Sequence, residues 1–119
     1  MEKIAFVFSR SPHGTSFGRE GLDAVFGISA ILNNISLFFI GDGVLQLMKS
    51  YHSDNILARN YTSSFSILSF YDIKNFYCCE ASLIKRGFNC NENFILKIDI
   101  LNSYFLRLKL DSHDAIINF

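Results

Sequence analysis

Ser9-Arg10-Ser11-Pro12-His13-Gly14-Thr15-Ser16-Phe17-Gly18-Arg19-Glu20-Gly21-Leu22-Asp23-Ala24 joins two segments of opposite character, and that junction decides the fold. It gathers three glycines, the sole proline and a histidine. Before it, Lys3-Ile4-Ala5-Phe6-Val7-Phe8 is an apolar run of the kind that forms a strand buried on both faces of a parallel sheet. After it, from about Ser16, apolar residues recur at helical spacing through Leu22, Val25, Phe26, Ser29 and Leu32. Arg19, Glu20 and Asp23 stand in the opening turns, and Asn33-Asn34 ends the helix. A strand, a polar glycine-rich loop and a helix in that order open an α/β protein, in which ligands and partners meet the loops at the carboxyl ends of the strands.

The remaining chain repeats the alternation. Ile35 to Ile40 reads as a second buried strand, broken by Gly41-Asp42-Gly43, with a short helix from Val44 to Met48. A polar interval from Ser50 to Asn60 leads into a helix from Thr62 to about Phe70, with Thr62, Ser63 or Ser64 as its N-cap. Asn75 to Cys79 forms an aromatic-rich third strand, and Glu80 to Arg86 a short helix stopped by Gly87. Phe94 to Leu101 is the fourth strand. Asn102 to Leu110 carries two signals, because Leu106-Arg107-Leu108-Lys109-Leu110 alternates like a strand while Asn102 is a good helix cap. Its place in a β-α-β series favours helix. Ala115 to Phe119 closes the chain as a fifth strand. These elements predict one α/β domain over residues 1–119, a mostly parallel five-stranded sheet with helices on both faces and right-handed crossovers.

Composition narrows the function. Eleven Lys and Arg balance eleven Asp and Glu, which leaves no basic footprint for nucleic acid or an anionic membrane. Half of the 119 residues are apolar and thirteen are Phe, a surplus that suits association with other subunits, although AT-biased coding raises Phe content as well. The three cysteines, with Cys78 and Cys79 adjacent and Cys90 further on, form neither a disulfide framework nor a zinc motif. With no secretory signal ahead of the first strand, a reducing, cytoplasmic setting is expected.

Candidate chemistry concentrates at two places. Gly14, Gly18 and Gly21 space as G-x-x-x-G-x-x-G, which is neither the dinucleotide fingerprint nor a Walker A loop, so nucleotide binding stays a secondary reading. His13, beside Gly14 and Thr15, titrates near neutrality but has no evident partner, and with Arg19 and Glu20 it reads as a loop or interface residue. No metal and no cofactor is expected. Cys79, at the end of a strand and the start of a helix, meets the positive end of the helix dipole, where a thiolate able to carry a persulfide is favoured. The competing reading is a buried, inert cysteine, with Glu80 beside it disfavouring the anion.

Read together, the residues resemble the DsrF/TusC family of sulfur-relay subunits. The resemblance runs through Ile4 to Ser9, Pro12 to Thr15, Gly18 to Ala24, Phe38 to Val44 with Gln46-Leu47, Leu57-Ala58-Arg59, Tyr71-Asp72-Ile73, Cys79 with Ala81-Ser82-Leu83, Arg86-Gly87 and Asp114 to Phe119. It implies a DsrE/DsrF-like fold assembled with TusB-like and TusD-like subunits into a heterohexamer of two copies of each. It further implies that this complex takes persulfide sulfur from TusA and passes it through TusE toward 2-thiolation of the tRNA wobble uridine. The subunit itself would touch proteins and not tRNA. The family attributes the carrying cysteine to the TusD-like subunit, in a Cys-x-Ala-Ala-x-Leu-x-x-Gly pattern, and Cys79 occupies the matching position here. The resemblance therefore implies mainly a scaffolding role, with Cys79 a weak candidate carrier.

Overall fold

Ile4–Phe8 forms β1, buried along its whole length, as a continuous apolar run requires of a strand covered on both sides. The computed structural model describes residues 3–10, 17–31, 34–48, 73, 75–89, 94 and 97–119. After β1 come α1 (Phe17–Ser29), β2 (Ile35–Phe39), a 3-10 helix (Gly41–Leu47), β3 (Asn75–Cys79), α2 (Glu80–Lys85), β4 (Asp99–Leu101), α3 (Ser103–Asp111) and β5 (Ala115–Asn118). The five strands line up as β4-β3-β2-β1-β5, and each neighbouring pair is parallel.

Three expected boundaries move. The helix expected from Val44 is a 3-10 helix that starts at Gly41, so Gly41-Asp42-Gly43 belongs to it and does not merely precede it. The strand expected from Phe94 is only Asp99–Leu101, and Phe94 instead forms an isolated antiparallel bridge with Met48. Apolar content alone does not tell a strand from a segment that packs against the core, as Phe94 and Ile98 do. Helix α1 stops at Ser29, whose hydroxyl donates back to the Phe26 carbonyl at 2.9 Å, a local bond that competes with helix continuation. The helix expected over 62–70 lies outside the described residues. The ambiguous segment after β4 is helical, and the Asn102 side chain caps it by accepting the Phe105 N–H at 2.9 Å.

Alternation along the strands divides the core in two. On one face Ile4, Phe6, Phe8, Leu37, Phe39, Phe76 and Cys78 pack with Leu22 and Val25 of α1, Val44 and Leu47 of the 3-10 helix, and Leu83 of α2. On the other, Ala5, Val7, Phe38, Tyr77 and Cys79 pack with Leu106 of α3. Chain order explains the division. The steps from β1 to β4 all run in one direction, so right-handed connections put α1, the 3-10 helix and α2 on one face. The return from β4 to β5 runs the opposite way and puts α3 on the other, the one helix there among the described residues.

Aromatic rings tie the chain end to the centre. Phe8 stacks on Phe39 at 5.3 Å and on Phe119 at 5.9 Å, each such pair adding about 0.5–1.5 kcal/mol beyond its burial. Phe119 donates its N–H to the Val7 carbonyl and accepts from the Ser9 N–H, so the β1–β5 ladder runs to the last residue. Gly21 permits this packing, since a Cβ there would press within 2.6–2.8 Å of the Phe8 and Phe119 rings. Among the described residues no helix is long and apolar enough to cross a membrane.

Candidate functional site

The 3-10 helix follows β2 directly and is pinned to β1, to the residue Arg10 beyond it, and to α2 after β3. Gly43 lies so close to β1 that a Cβ would overlap the Phe8 carbonyl oxygen, which leaves glycine as the residue that fits. Gln46, fully buried in an apolar run, donates from Nε2 to the Arg10 carbonyl at 3.1 Å and so holds the root of the loop that follows β1.

The third attachment reaches α2. Arg86 donates from Nε and Nη2 to one Asp42 carboxylate oxygen at 3.0 and 2.8 Å, and from Nη1 to the Ser82 carbonyl at 3.1 Å. Ser82 Oγ in turn accepts the Gly41 N–H at 2.9 Å. The Arg86 side chain is 23% exposed and that of Asp42 60%, so this ion pair orients the two helices more than it stabilises them. Sequence reading noticed Gly41-Asp42-Gly43 and Arg86-Gly87 as separate signatures. Only the fold joins residues 44 positions apart.

Cys79 sits at the junction of β3 and α2, the strand end and helix start expected of it. Its backbone is extended, with φ −78 and ψ 117, and its side chain makes no cap hydrogen bond. It is 7% exposed and lies among Tyr77, Phe38 and Leu106 beneath α3. Cys78 points to the opposite face and is fully buried there. At 7% exposure Cys79 presents little surface to a macromolecular donor.

Arg19 and Glu20 are exposed in the first turn of α1. Their helix packs on the face opposite Cys79, so the two groups of candidates are not brought together. His13, Gly14 and Thr15, like Cys90, lie outside the described residues. A residue that sequence reading passed over is His113, which packs edge-on against Phe38 at 5.5 Å and engages the Lys109 carbonyl through Nδ1 at 2.7 Å, so closing the end of α3 onto the sheet. The signal was a histidine just past a helix end, where such bonds to the last carbonyls are favoured. Among the described residues no three His, Cys, Asp or Glu side chains gather as a metal site.

Comparison with known proteins extends over the same architecture. Residues 2–119 match the sequence profile of the DsrE/DsrF-like family. The chain is 72% identical to Protein TusC of Buchnera aphidicola subsp. Schizaphis graminum and 69% identical to Protein TusC of Buchnera aphidicola subsp. Acyrthosiphon pisum, with full coverage of both chains in each case. It is 50% identical, again over full length, to Protein TusC of Buchnera aphidicola subsp. Baizongia pistaciae. The crystal structure of the ychN protein from E. coli superposes with a TM-score of 0.82 over all of both chains at 20% identity, a likeness of fold.

Proposed function

Because this chain belongs to the DsrE/DsrF-like family, we propose that it acts as a non-catalytic, TusC-like subunit of a heteromeric sulfur-relay complex. In that role it assembles with TusB-like and TusD-like subunits, and the complex moves persulfide sulfur from TusA to TusE for 2-thiolation of the tRNA wobble uridine. The observation that carries the reading is full-length agreement with three relatives named Protein TusC, without an inserted or missing domain. The charge balance supports a protein-facing role, since the complex meets tRNA only through later carriers.

The burial of Cys79 favours scaffolding over carrying. A carrier must bring its thiolate onto the terminal sulfur of a donor persulfide. The new S–S bond then forms on the carrier as the donor's own S–S bond breaks and the donor leaves as a thiolate, with the carrier's proton lost to solvent. That in-line approach needs an open sulfur, and Cys79 lies under α3. A second reading, in which Cys79 does carry sulfur, rests on its place at the start of α2.

The two readings part in a cell lacking this chain, in which 2-thiouridine content of tRNA is measured by mass spectrometry. Scaffolding predicts that the wild-type chain and Cys79→Ser restore thiolation equally. Loss of thiolation with Cys79→Ser, while complex assembly stays intact, overturns scaffolding in favour of the carrier.

A further inference from the structure

Helix α3 is apolar on more than the side it buries. Leu106 faces the sheet at 6% exposure, yet Tyr104, Phe105 and Leu108 remain 67%, 52% and 49% exposed. Phe105, Leu108, Lys109 and Ser112 are spaced i, i+3, i+4 and i+7, so they form one stripe along the helix. With Leu101 and Lys3 this stripe lines an open groove of about 440 Å³. Ile116 of the edge strand β5 pairs in register with Ala5, which places it on the same sheet face as α3, and it is 51% exposed. A soluble domain seldom leaves four large apolar side chains on one face unless something covers them.

The charges say what kind of cover fits. The groove lining holds two ammonium groups, Lys3 and Lys109, and no carboxylate. Of the acids around it, Asp114 accepts the Lys3 backbone N–H at 2.7 Å and Asp111 pairs with Arg107 at 3.5 Å, while Asp99 stands outside the lining on β4, in register with Tyr77. Among the described residues neither lysine of the groove forms an ion pair, while Lys109 Nζ stands 5.7 Å over the Tyr77 ring. A two-fold contact between copies of this chain would set the patch against itself and oppose lysine to lysine.

We propose that the groove along α3 is the seat for a non-identical protein subunit that presents an apolar ridge edged by carboxylates. The proposal rests on the heteromeric reading above and names the face that reading needs. It also fits the asymmetry of the sheet, since among the described residues one nine-residue helix packs on this face and several elements pack on the other. Docking there would in addition hold α3 down over Cys79.

The test is co-expression with the TusB-like and TusD-like subunits, followed by quantitative co-elution of wild type, Leu108→Glu, Lys109→Glu and the control Ile84→Glu on α2, which is 63% exposed on the other face. Each groove variant should weaken assembly roughly tenfold or more, as expected for a charge placed in, or reversed at, a desolvated contact. Circular dichroism of the isolated variants should match wild type, with melting unchanged for Leu108→Glu and slightly lowered for Lys109→Glu, which gives up the contact with the Tyr77 ring, and Ile84→Glu should assemble normally. Wild-type assembly should also weaken as salt rises, with Lys109→Glu losing most of that dependence. Normal assembly of both groove variants overturns the seat while leaving the heteromeric reading standing. Failure of the wild-type chain to join either subunit overturns both. A homodimer broken by Leu108→Glu overturns the claim that the occupant is non-identical.

Discussion

Gly43 is the residue whose identity the backbone constrains most tightly. Its Cα rests against the Phe8 carbonyl of a central strand, which cannot yield without disturbing the ladders on both sides. Gly43→Ala should therefore cost about 3 kcal/mol, the upper part of the range for overpacking, read from the urea midpoint at unchanged slope. The Arg86–Asp42 pair sits at the other extreme, because its carboxylate is well exposed. A double-mutant cycle on Arg86→Ala and Asp42→Ala should give a coupling of about 0.5–1 kcal/mol that shrinks in salt. Residue identities were legible in sequence where one position states its own constraint, as with Cys79 between strand and helix signals. They were illegible where the constraint is a distant partner: nothing in Gly41-Asp42-Gly43 announces Ser82 and Arg86, and the burial of Gln46 appears only once Arg10 is placed above it.

Among the elements, α3, which carries the proposed seat, was hardest to read. Its leucines alternate like a strand because two lie on the sheet side of the helix and one on the groove side, so period alone mixes the two surfaces. The cap resolves the ambiguity. Asn102→Ala removes the acceptor for the Phe105 N–H and should destabilise by about 1 kcal/mol, with amide exchange accelerated first in the opening turn of α3. Strands β1, β2 and β3 were readable because burial on both faces leaves runs that are apolar throughout in β1 and nearly so in β2, where Ser36 intervenes, and in β3, which opens on Asn75. Strand β4, at the sheet edge and half-exposed, has no such run, and the apolar residues ahead of it blurred where it begins.

For the molecule as a whole, topology turns chain order into function. Among the described residues, stepping from β1 to β4 in one direction puts α1, the 3-10 helix and α2 on one face, and the single return puts α3 on the other. Among the described residues the apolar surplus divides between a buried double core and exposed side chains, of which Tyr104, Phe105, Leu108 and Ile116 gather on α3 and β5 while Ile31 and Ile84 stand elsewhere. The α/β class, the parallel sheet and its five strands followed from the sequence pattern, whereas the strand order that creates the uncovered face did not, since periodicity carries no information about which strands become neighbours. Native mass spectrometry of the assembly purified after co-expression with TusB-like and TusD-like subunits tests the central claim most directly. A single species containing two copies of this chain and two of each partner is predicted; a complex of the two partners that forms without this chain, which remains alone, would contradict it.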